Sequence, residues 1–441
     1  MKLNEKISGT IGRLASDGSG LIEQPIGKQV RVYNTIDNED VTAVVTRREK
    51  TFMRAKLASV ETPSPHRIAP RCPYAGTCGG CKWQHIDYPH QLAAKAQLLR
   101  DAFAQAEIPC SVVSPTGATD LFYYRNRMDF VFGANGELGM KEPGSWRSVI
   151  DLKTCFLLSP ETVEILNRVR DWSRSTGLPF WNGATHDGFF RYVVIREGKR
   201  TGNRMVVLVT GAPISNEEKS VKSIANVIGD LATSVVWGIN PLITDLSIAQ
   251  TVTPLKGDPW IHEIINGIGY KITPNAFFQT NTVMAEQLQN TVAELCGDLK
   301  DKTLLDLYCG SGFFSLALAN KTKRTIGIEL DSEAIASAKE NAVVNGKKVD
   351  YFVSKAEAFD WTNESPDVVI IDPPRAGLHP KVIETILSAK PKTMIYVSCK
   401  YERFLQECKQ LLAVYNIVES RALDLFPHTP HVEIVTKFER K

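Results

Sequence analysis

From Thr303 to Cys399 the chain alternates short apolar runs with segments of helical periodicity. TLLDLYCG is followed by helical GFFSLALANK, and RTIGIEL by helical SEAIASAKENAVVNG. The runs VDYFVS, DVVIIDPP and TMIYVSC then bracket the helix PKVIETILSAK. Neighbouring parallel strands cannot be joined by a tight turn; each needs a crossover, and a helix packed on the sheet supplies it. The alternation therefore restricts the region from residue 276 onward to a parallel, doubly wound α/β sheet. In such sheets ligands lie beyond the carboxyl ends of the strands, so the residues that end each apolar run are the ones to examine for chemistry.

The first strand end is DLYCGSGFFS, residues 306–315. Gly310 and Gly312 let the backbone turn sharply and approach a ligand closely. Glu329 ends the next strand, where a carboxylate can accept hydrogen bonds from both hydroxyls of a ribose. Flavin, NAD and methyl-donor folds share G-x-G after a strand. Here Phe313 and Phe314 stand in the region of the third glycine of the dinucleotide fingerprint. A pyrophosphate needs that close backbone approach and a clear helix N-terminus, so S-adenosylmethionine is favoured. The fourth strand ends in IDPPRAGLHP, with Asp372 at its end and Pro373–Pro374 holding the chain extended. Amino-group methyltransferases place an aromatic residue after such a pair to stack on the base. Arg375 stands there instead, which argues against N-methylation.

Cys399 ends the following strand, on the same sheet edge. Lys400 and the N-terminus of the helix near YERF are expected to favour its thiolate, the reactive form. A thiolate beside a methyl donor suits a carbon that is not nucleophilic by itself, such as carbon 5 of a pyrimidine. Addition at carbon 6 makes an enolate, carbon 5 takes the methyl, and a base removes the carbon 5 proton before the thiolate leaves. FPHTPHVEIV (426–435) offers Glu433, His428 and His431 for that step. Glu433 lies among Val432, Ile434 and Val435, where a carboxylate is either structurally paired or poised with a raised pKa.

Upstream, residues 1–60 read as short strands of a small β-barrel, and RREKTFMRAK sets five cations, Arg47, Arg48, Lys50, Arg54 and Lys56, against Glu49. VETPSPHRIAP (60–70) reads as a Pro-rich linker and QLAAKAQLLRDAFAQAEI (91–108) as an amphipathic helix. Residues from about 120 to 270 are strand-rich and read as an α+β domain. Cys72, Cys78 and Cys81 form C-x5-C-x2-C, with Cys155 far downstream. That spacing suits zinc or an iron–sulfur cluster and does not choose between them. The odd total of nine cysteines and the start MKLNEKISGT suggest reduced thiols in a cytoplasmic protein. No apolar run approaches the ~18–20 residues of a membrane span. A net charge of +3 does not by itself imply nucleic acid, so local basic patches must carry that argument.

Together NAFFQTN (275–281), DLYCGSGFFS, DPPRAGLHP, YVSC and FPHTPHVE resemble the RNA uracil-5 methyltransferases, which make 5-methyluridine, and the resemblance extends over nearly the whole chain. It implies a multidomain protein. Residues 1–61 would form a TRAM-like, OB-like RNA-binding β-barrel. Residues 62–83 and 115–275 would form a central α+β domain with an iron–sulfur site. Residues 84–114 and 276–441 would form a Rossmann-like α/β methyltransferase domain. It further implies Cys399 as nucleophile, Glu433 as proton acceptor, and Gln279, Tyr308, Glu329 and Asp372 at the S-adenosylmethionine site. Cys72, Cys78, Cys81 and Cys155 would hold a [4Fe-4S] cluster with a structural or RNA-shaping role. Phe313 and Lys355 depart from the family pattern, where Asn and an acidic or amide residue are frequent. The expected partner is RNA, bound by a monomer with no membrane association. Ribosomal 23S RNA is favoured, and the T-loop uridine of tRNA is the alternative. An RNA cytosine-5 methyltransferase usually carries a second cysteine in the Asp-Pro motif, which DPPRAG lacks. A non-catalytic RNA-binding protein would not need Cys399 together with Glu433.

Overall fold

The computed structural model describes residues 2–23, 28–109, 114–145, 147–213 and 217–441. Residues 24–27, within the expected barrel strands, and residues 110–113, at an expected domain boundary, lie outside the described residues. Strands β1 (Lys6–Leu14), β2 (Gly20–Ile22), β3 (Gln29–Val32), β4 (Asp40–Arg48) and β5 (Phe52–Thr62) close into a barrel of order β1-β2-β3-β5-β4. Its interior is filled by inward positions such as Ile11, Val30, Val32, Val41, Ala43, Val45 and Ala55, which follow the period-two alternation of strands. The Pro-rich segment behind β5 is not a loose linker. Arg67 Nε and Nη2 donate to the carboxylate of Glu39, whose side chain is wholly buried in the barrel base. His66 stacks on His90 with ring centroids 4.1 Å apart, and the indole of Trp83 donates to the Gly18 carbonyl. Prolines report an extended backbone but say nothing of the side chains that fasten it.

Helix α1 (Tyr88–Gln105) starts at Asp87, whose carboxylate accepts the His90 N–H. Its buried face, with Leu99 and Phe103, joins a core that also contains Tyr396, Phe404 and Phe438 from the C-terminal sheet. The middle of the chain contributes β6 (Arg127–Phe132), β7 (Leu138–Lys141), β8 (Val149–Asp151), α2 (Glu161–Ser175), β9 (Phe190–Glu197), β10 (Arg204–Thr210), α3 (Glu217–Lys222), α4 (Ile224–Ile228), β11 (Ser234–Ile239) and β12 (Thr251–Lys256). Their sheet runs β12-β11-β10-β9-β6-β7-β8. Strand β9 is buried at every position, because the sheet is covered on both faces. One face carries Phe130, Val193 and Leu208 against Ile165 and Val169 of α2. The other shares a core with the hairpin β13 (Ile261–Ile265) and β14 (Ile268–Ile272) and with α5 (Thr282–Cys296).

The C-terminal region follows as β15 (Thr303–Leu307), α6 (Phe313–Leu318), β16 (Arg324–Glu329), α7 (Ser332–Val344), β17 (Asp350–Val353), β18 (Val368–Ile371), α8 (Pro380–Ala389), β19 (Thr393–Ser398), α9 (Tyr401–Leu411), β20 (Tyr415–Leu423) and β21 (Glu433–Arg440). The sheet order is β17-β16-β15-β18-β19-β21-β20. Five strands are parallel, as the alternation predicts, but β21 runs antiparallel to both β19 and β20. The wholly parallel reading is thus corrected at one edge. No crossover helix separates β20 from β21, so the chain can only return antiparallel. Among the described residues no helix is long and apolar enough to cross a membrane.

Candidate active site

The residues singled out at strand ends lie along the carboxyl edge of this sheet. After β15 the chain turns through Tyr308 (φ 64°), Gly310 (φ 53°) and Gly312 (φ 90°). At Gly312 a Cβ would stand 2.3 Å from Tyr351 Oη, so the position admits only glycine. At Gly310 a Cβ would meet no atom within 4 Å; the backbone there faces open space. Glu329, at the end of β16, accepts the Gly310 N–H at 3.2 Å and the N–H groups of Leu330 and Asp331 at 2.7 and 3.0 Å. Leu330 and Val353 beside it expose apolar surface, being 60% and 54% accessible. Asp306 is fully buried beneath the turn. One of its oxygens accepts the Ser315 N–H at 2.8 Å and the other has no partner. Burial pushes its carboxyl up to about 7, and burial with neighbouring Asp306 does the same for Asp372 at the end of β18. Gln279 is buried, and its backbone carbonyl accepts from Asn126 Nδ2 at 2.8 Å. An open turn beside the Glu329 carboxylate, with an orphaned buried acceptor on Asp306, fits S-adenosylmethionine in polarity. Lys355 is exposed and Phe313 is buried under the turn, so neither departure from the family pattern closes it.

Cys399 and Glu433 meet through strand register. Val397 faces Val435 and Ser398 faces Ile434, so the next step sets Cys399 opposite Glu433. Directly opposed residues in an antiparallel pair lie about 4.5–5.5 Å apart at Cα. Glu433 is buried, and burial with the neighbouring Asp372 carboxyl holds its pKa well above the usual carboxylate range. The Cys399 thiol is raised as well, by burial, then by Glu433 and Asp372, while Arg375 draws it down. The expectation that Lys400 favours the thiolate is not met: Lys400 is exposed, and the cation acting on the sulfur is Arg375. Sequence reasoning treated Arg375 only as a missing aromatic residue. Its position directly after Asp-Pro-Pro, in the turn that follows the strand next to the one ending at Cys399, was the available signal.

The segment from Asp424 to Glu433 is pinned along its length. Lys95 Nζ bonds Asp424 at 2.5 Å with both side chains wholly buried, and Tyr88 Oη donates to the same carboxylate at 3.1 Å. The Lys82 and Trp83 N–H groups both donate to the His428 carbonyl, at 2.8 and 2.9 Å, and His428 N–H donates to Gln91 at 2.8 Å. His428 is thereby turned into the core against Phe122, where burial and then Lys95 push its imidazole down to about 4. Gln91 Nε2 lies 3.2 Å from its Nδ1.

Cys72, Cys78, Cys81 and Cys155 line one pocket together with Met128, Met140 and Leu152. Burial is the main force raising each thiol, the four influence one another, and the Arg125 guanidinium draws down Cys81 and Cys155. The Gly80 N–H donates to Cys78 Sγ at 3.4 Å. Among the described residues no group of three or more His, Cys, Asp or Glu side chains is gathered so as to hold a metal ion.

A doubly wound sheet with this glycine turn and this acidic edge defines an enzyme of the S-adenosylmethionine-dependent methyltransferase class. The family model described as tRNA (Uracil-5-)-methyltransferase matches residues 264–360 and 347–441. An RNA methyltransferase of Nanoarchaeum equitans, uncharacterized, is 36% identical over 90% of this chain and 86% of its own. The tRNA (uracil(54)-C(5))-methyltransferase of Pyrococcus furiosus is 35% identical over 98% of this chain and 99% of its own. The crystal structure of Pyrococcus abyssi tRNA (uracil-54, C5)-methyltransferase in complex with S-adenosyl-L-homocysteine matches with a TM-score of 0.81 and 30% identity, over 98% and 99% of the two chains. The chain belongs to the RNA uracil-5 methyltransferase family, and is an S-adenosylmethionine-dependent enzyme that methylates uracil in RNA at carbon 5.

Proposed function

We propose that the substrate is tRNA, at the T-loop uridine that the Pyrococcus relatives are named for, and that methylation proceeds through a covalent bond from Cys399 to carbon 6. The sequence alone favoured 23S ribosomal RNA. Three relatives matched over 97–98% of this chain are named for uracil 54 of tRNA, which favours the alternative. The observation that carries the mechanism is the register that sets Cys399 opposite Glu433. Incubation of purified enzyme and labelled S-adenosylmethionine with tRNA or 23S rRNA transcripts tests the substrate. Label in 5-methyluridine of tRNA only is expected, and label in 23S rRNA only overturns the choice.

Bound S-adenosylmethionine supplies an electrophilic methyl group. Gln279, Tyr308, Glu329 and Asp372 would hold it, with Gly310 leaving the space and Leu330 and Val353 offering apolar surface to the adenine. Arg375 offsets the carboxyls around Cys399 and favours its thiolate. The thiolate bonds to carbon 6 while the carbon 5–carbon 6 electron pair moves to the carbon 4 oxygen; that enolate pair then bonds carbon 5 to the methyl, whose bond to the sulfonium sulfur breaks and leaves S-adenosylhomocysteine. Glu433 removes the carbon 5 proton, the pair returns to the ring, and the carbon–sulfur bond breaks. A carboxylate of raised pKa is a stronger base than an exposed one, which suits a carbon-bound proton.

Cys72, Cys78, Cys81 and Cys155 are the proposed ligands of a [4Fe-4S] cluster. In such a cluster each thiolate takes its own iron. Four cysteines around one Met- and Leu-lined pocket, with Arg125 to balance negative charge, support a common site for the four thiolates. The cluster would stitch Cys155 to the Cys72–Cys81 turn.

A further inference from the structure

A cavity lies against the middle sheet, lined by residues of β6, β7 and the loops around Trp181 and Thr244, and none of its lining residues belongs to the Cys399 edge. It measures about 570 Å³, within the roughly 300–1,000 Å³ of small-molecule sites. Val131 and Phe132 at the end of β6 form part of its wall, and the other end of β6 reaches the cofactor edge: the N–H of Asn126 donates to the Thr280 carbonyl at 2.8 Å. Six residues of strand set the two about 20 Å apart. That is a distance a single RNA strand covers in a few nucleotides.

The cavity is built, not a gap between loops. Arg191, 1% exposed, donates through Nη1 to the Asn240 and Leu242 carbonyls at 2.6 and 2.8 Å and through Nη2 to the Thr244 carbonyl. Its Nε is buried without a partner. Trp181 lies over its guanidinium at 4.1 Å from the ring centroid. The loop so held presents Leu242, Ile243 and Leu246 to solvent, at 47%, 68% and 54% exposure. Asp245 turns back to bond Tyr192 Oη and Lys141 Nζ, both at 2.6 Å. Lys141, Arg147 and Arg191 line the cavity against the single carboxylate of Asp245, so its charge suits an anion. Aromatic and aliphatic surface beside net positive charge is the combination that takes a base together with its phosphate.

We infer that this cavity binds a nucleotide of the substrate RNA a few positions from the methylated uridine, its base packed against Trp181 and the aliphatic lip. This anchor holds the strand while the target base enters the active site. It rests on the enzyme acting on RNA and not on which RNA is its substrate.

The test measures binding of fluorescein-labelled dodecauridylate by anisotropy, with S-adenosylhomocysteine binding as the check on folding. Trp181→Ala should weaken the oligonucleotide roughly 5- to 150-fold, the range of one lost base–aromatic stack, and leave S-adenosylhomocysteine binding unchanged. Trp181→Phe should retain most of the affinity. With 5-iodouridine in the oligonucleotide, photocrosslinks should fall on the peptide that contains Trp181 and His186. Unchanged oligonucleotide affinity in a Trp181→Ala protein that binds S-adenosylhomocysteine overturns the proposal. If that variant misfolds, absence of crosslinks to this peptide in the native enzyme overturns it instead. Uridine monophosphate binding that needs Trp181, with RNA binding that does not, reassigns the cavity to a free nucleotide.

Discussion

Arg375 is the cation that draws down the Cys399 thiol, the proposed nucleophile. The cysteine and the carboxylate were legible in the sequence, because a polar residue that ends or opens an apolar strand leaves a recognisable mark. The cation was not, because its approach to Cys399 depends on how the Asp-Pro-Pro turn folds back over the sheet edge. Replacing Arg375 by Ala should move the pH profile of Cys399 alkylation by iodoacetamide to higher pH, since the remaining influences on the thiol all raise it. An unmoved profile would return the role to Lys400. Glu433 gives a second test. Its folded pKa is raised, so the folded state keeps a proton that the unfolded chain releases near pH 4.5. Its contribution to stability is therefore present below that pH and is lost as pH rises through the folded value. Glu433→Gln cannot ionise. It should melt above the wild type at pH 8, with the gap shrinking toward pH 5, as measured by thermal unfolding across that range. A gap independent of pH would contradict this.

At the scale of elements, the five parallel strands could be read from the alternation, whereas the antiparallel return of β21 could not. An apolar run such as EIVTKF has the same composition in either direction. The direction is set by the pinned segment before it, whose fastenings come from residues hundreds of positions away. Lys95 and Asp424 are the innermost of these, both wholly buried. Lys95→Met leaves Asp424 charged and without its cation, at a cost of about 3–5 kcal/mol. It should lower the melting temperature and kcat together while S-adenosylhomocysteine affinity, assigned in the proposal to the β15–β16 edge, stays near wild type. Equal loss of cofactor binding would show that the segment supports the whole domain and not the Glu433 strand alone. The Pro-rich stretch teaches the same lesson from the other side. Its composition reads as a spacer, yet Arg67 and His66 tie it to the barrel and to α1.

Across the whole molecule, the barrel, the cysteine pocket and the sheet edge are joined by short routes, and the Lys82 and Trp83 N–H groups run directly from the cysteine turn to the segment that carries Glu433. If Cys72, Cys78, Cys81 and Cys155 hold the proposed cluster, anaerobically purified protein should contain about four irons per chain. Stoichiometric zinc without iron would contradict the cluster. On the barrel, Arg47 and Arg54 share Glu49, while Arg48, Lys50 and Lys56 are exposed. Removing Arg48 and Lys56 together should reduce the salt dependence of RNA binding by a slope of roughly 0.7 per lost phosphate contact on single strands. An unchanged slope would make the strip a solvated surface. The claim on which the account turns is that Cys399 bonds to the uracil ring and Glu433 releases it. It is tested most directly by denaturing electrophoresis of Glu433→Gln incubated with tRNA and S-adenosylmethionine. The account predicts a methylated protein–RNA adduct that survives denaturation and disappears when Cys399 is also replaced by Ala. Folded Glu433→Gln protein that binds S-adenosylhomocysteine and tRNA yet forms no Cys399-dependent adduct, together with native enzyme that forms none on 5-fluorouridine tRNA, would contradict it.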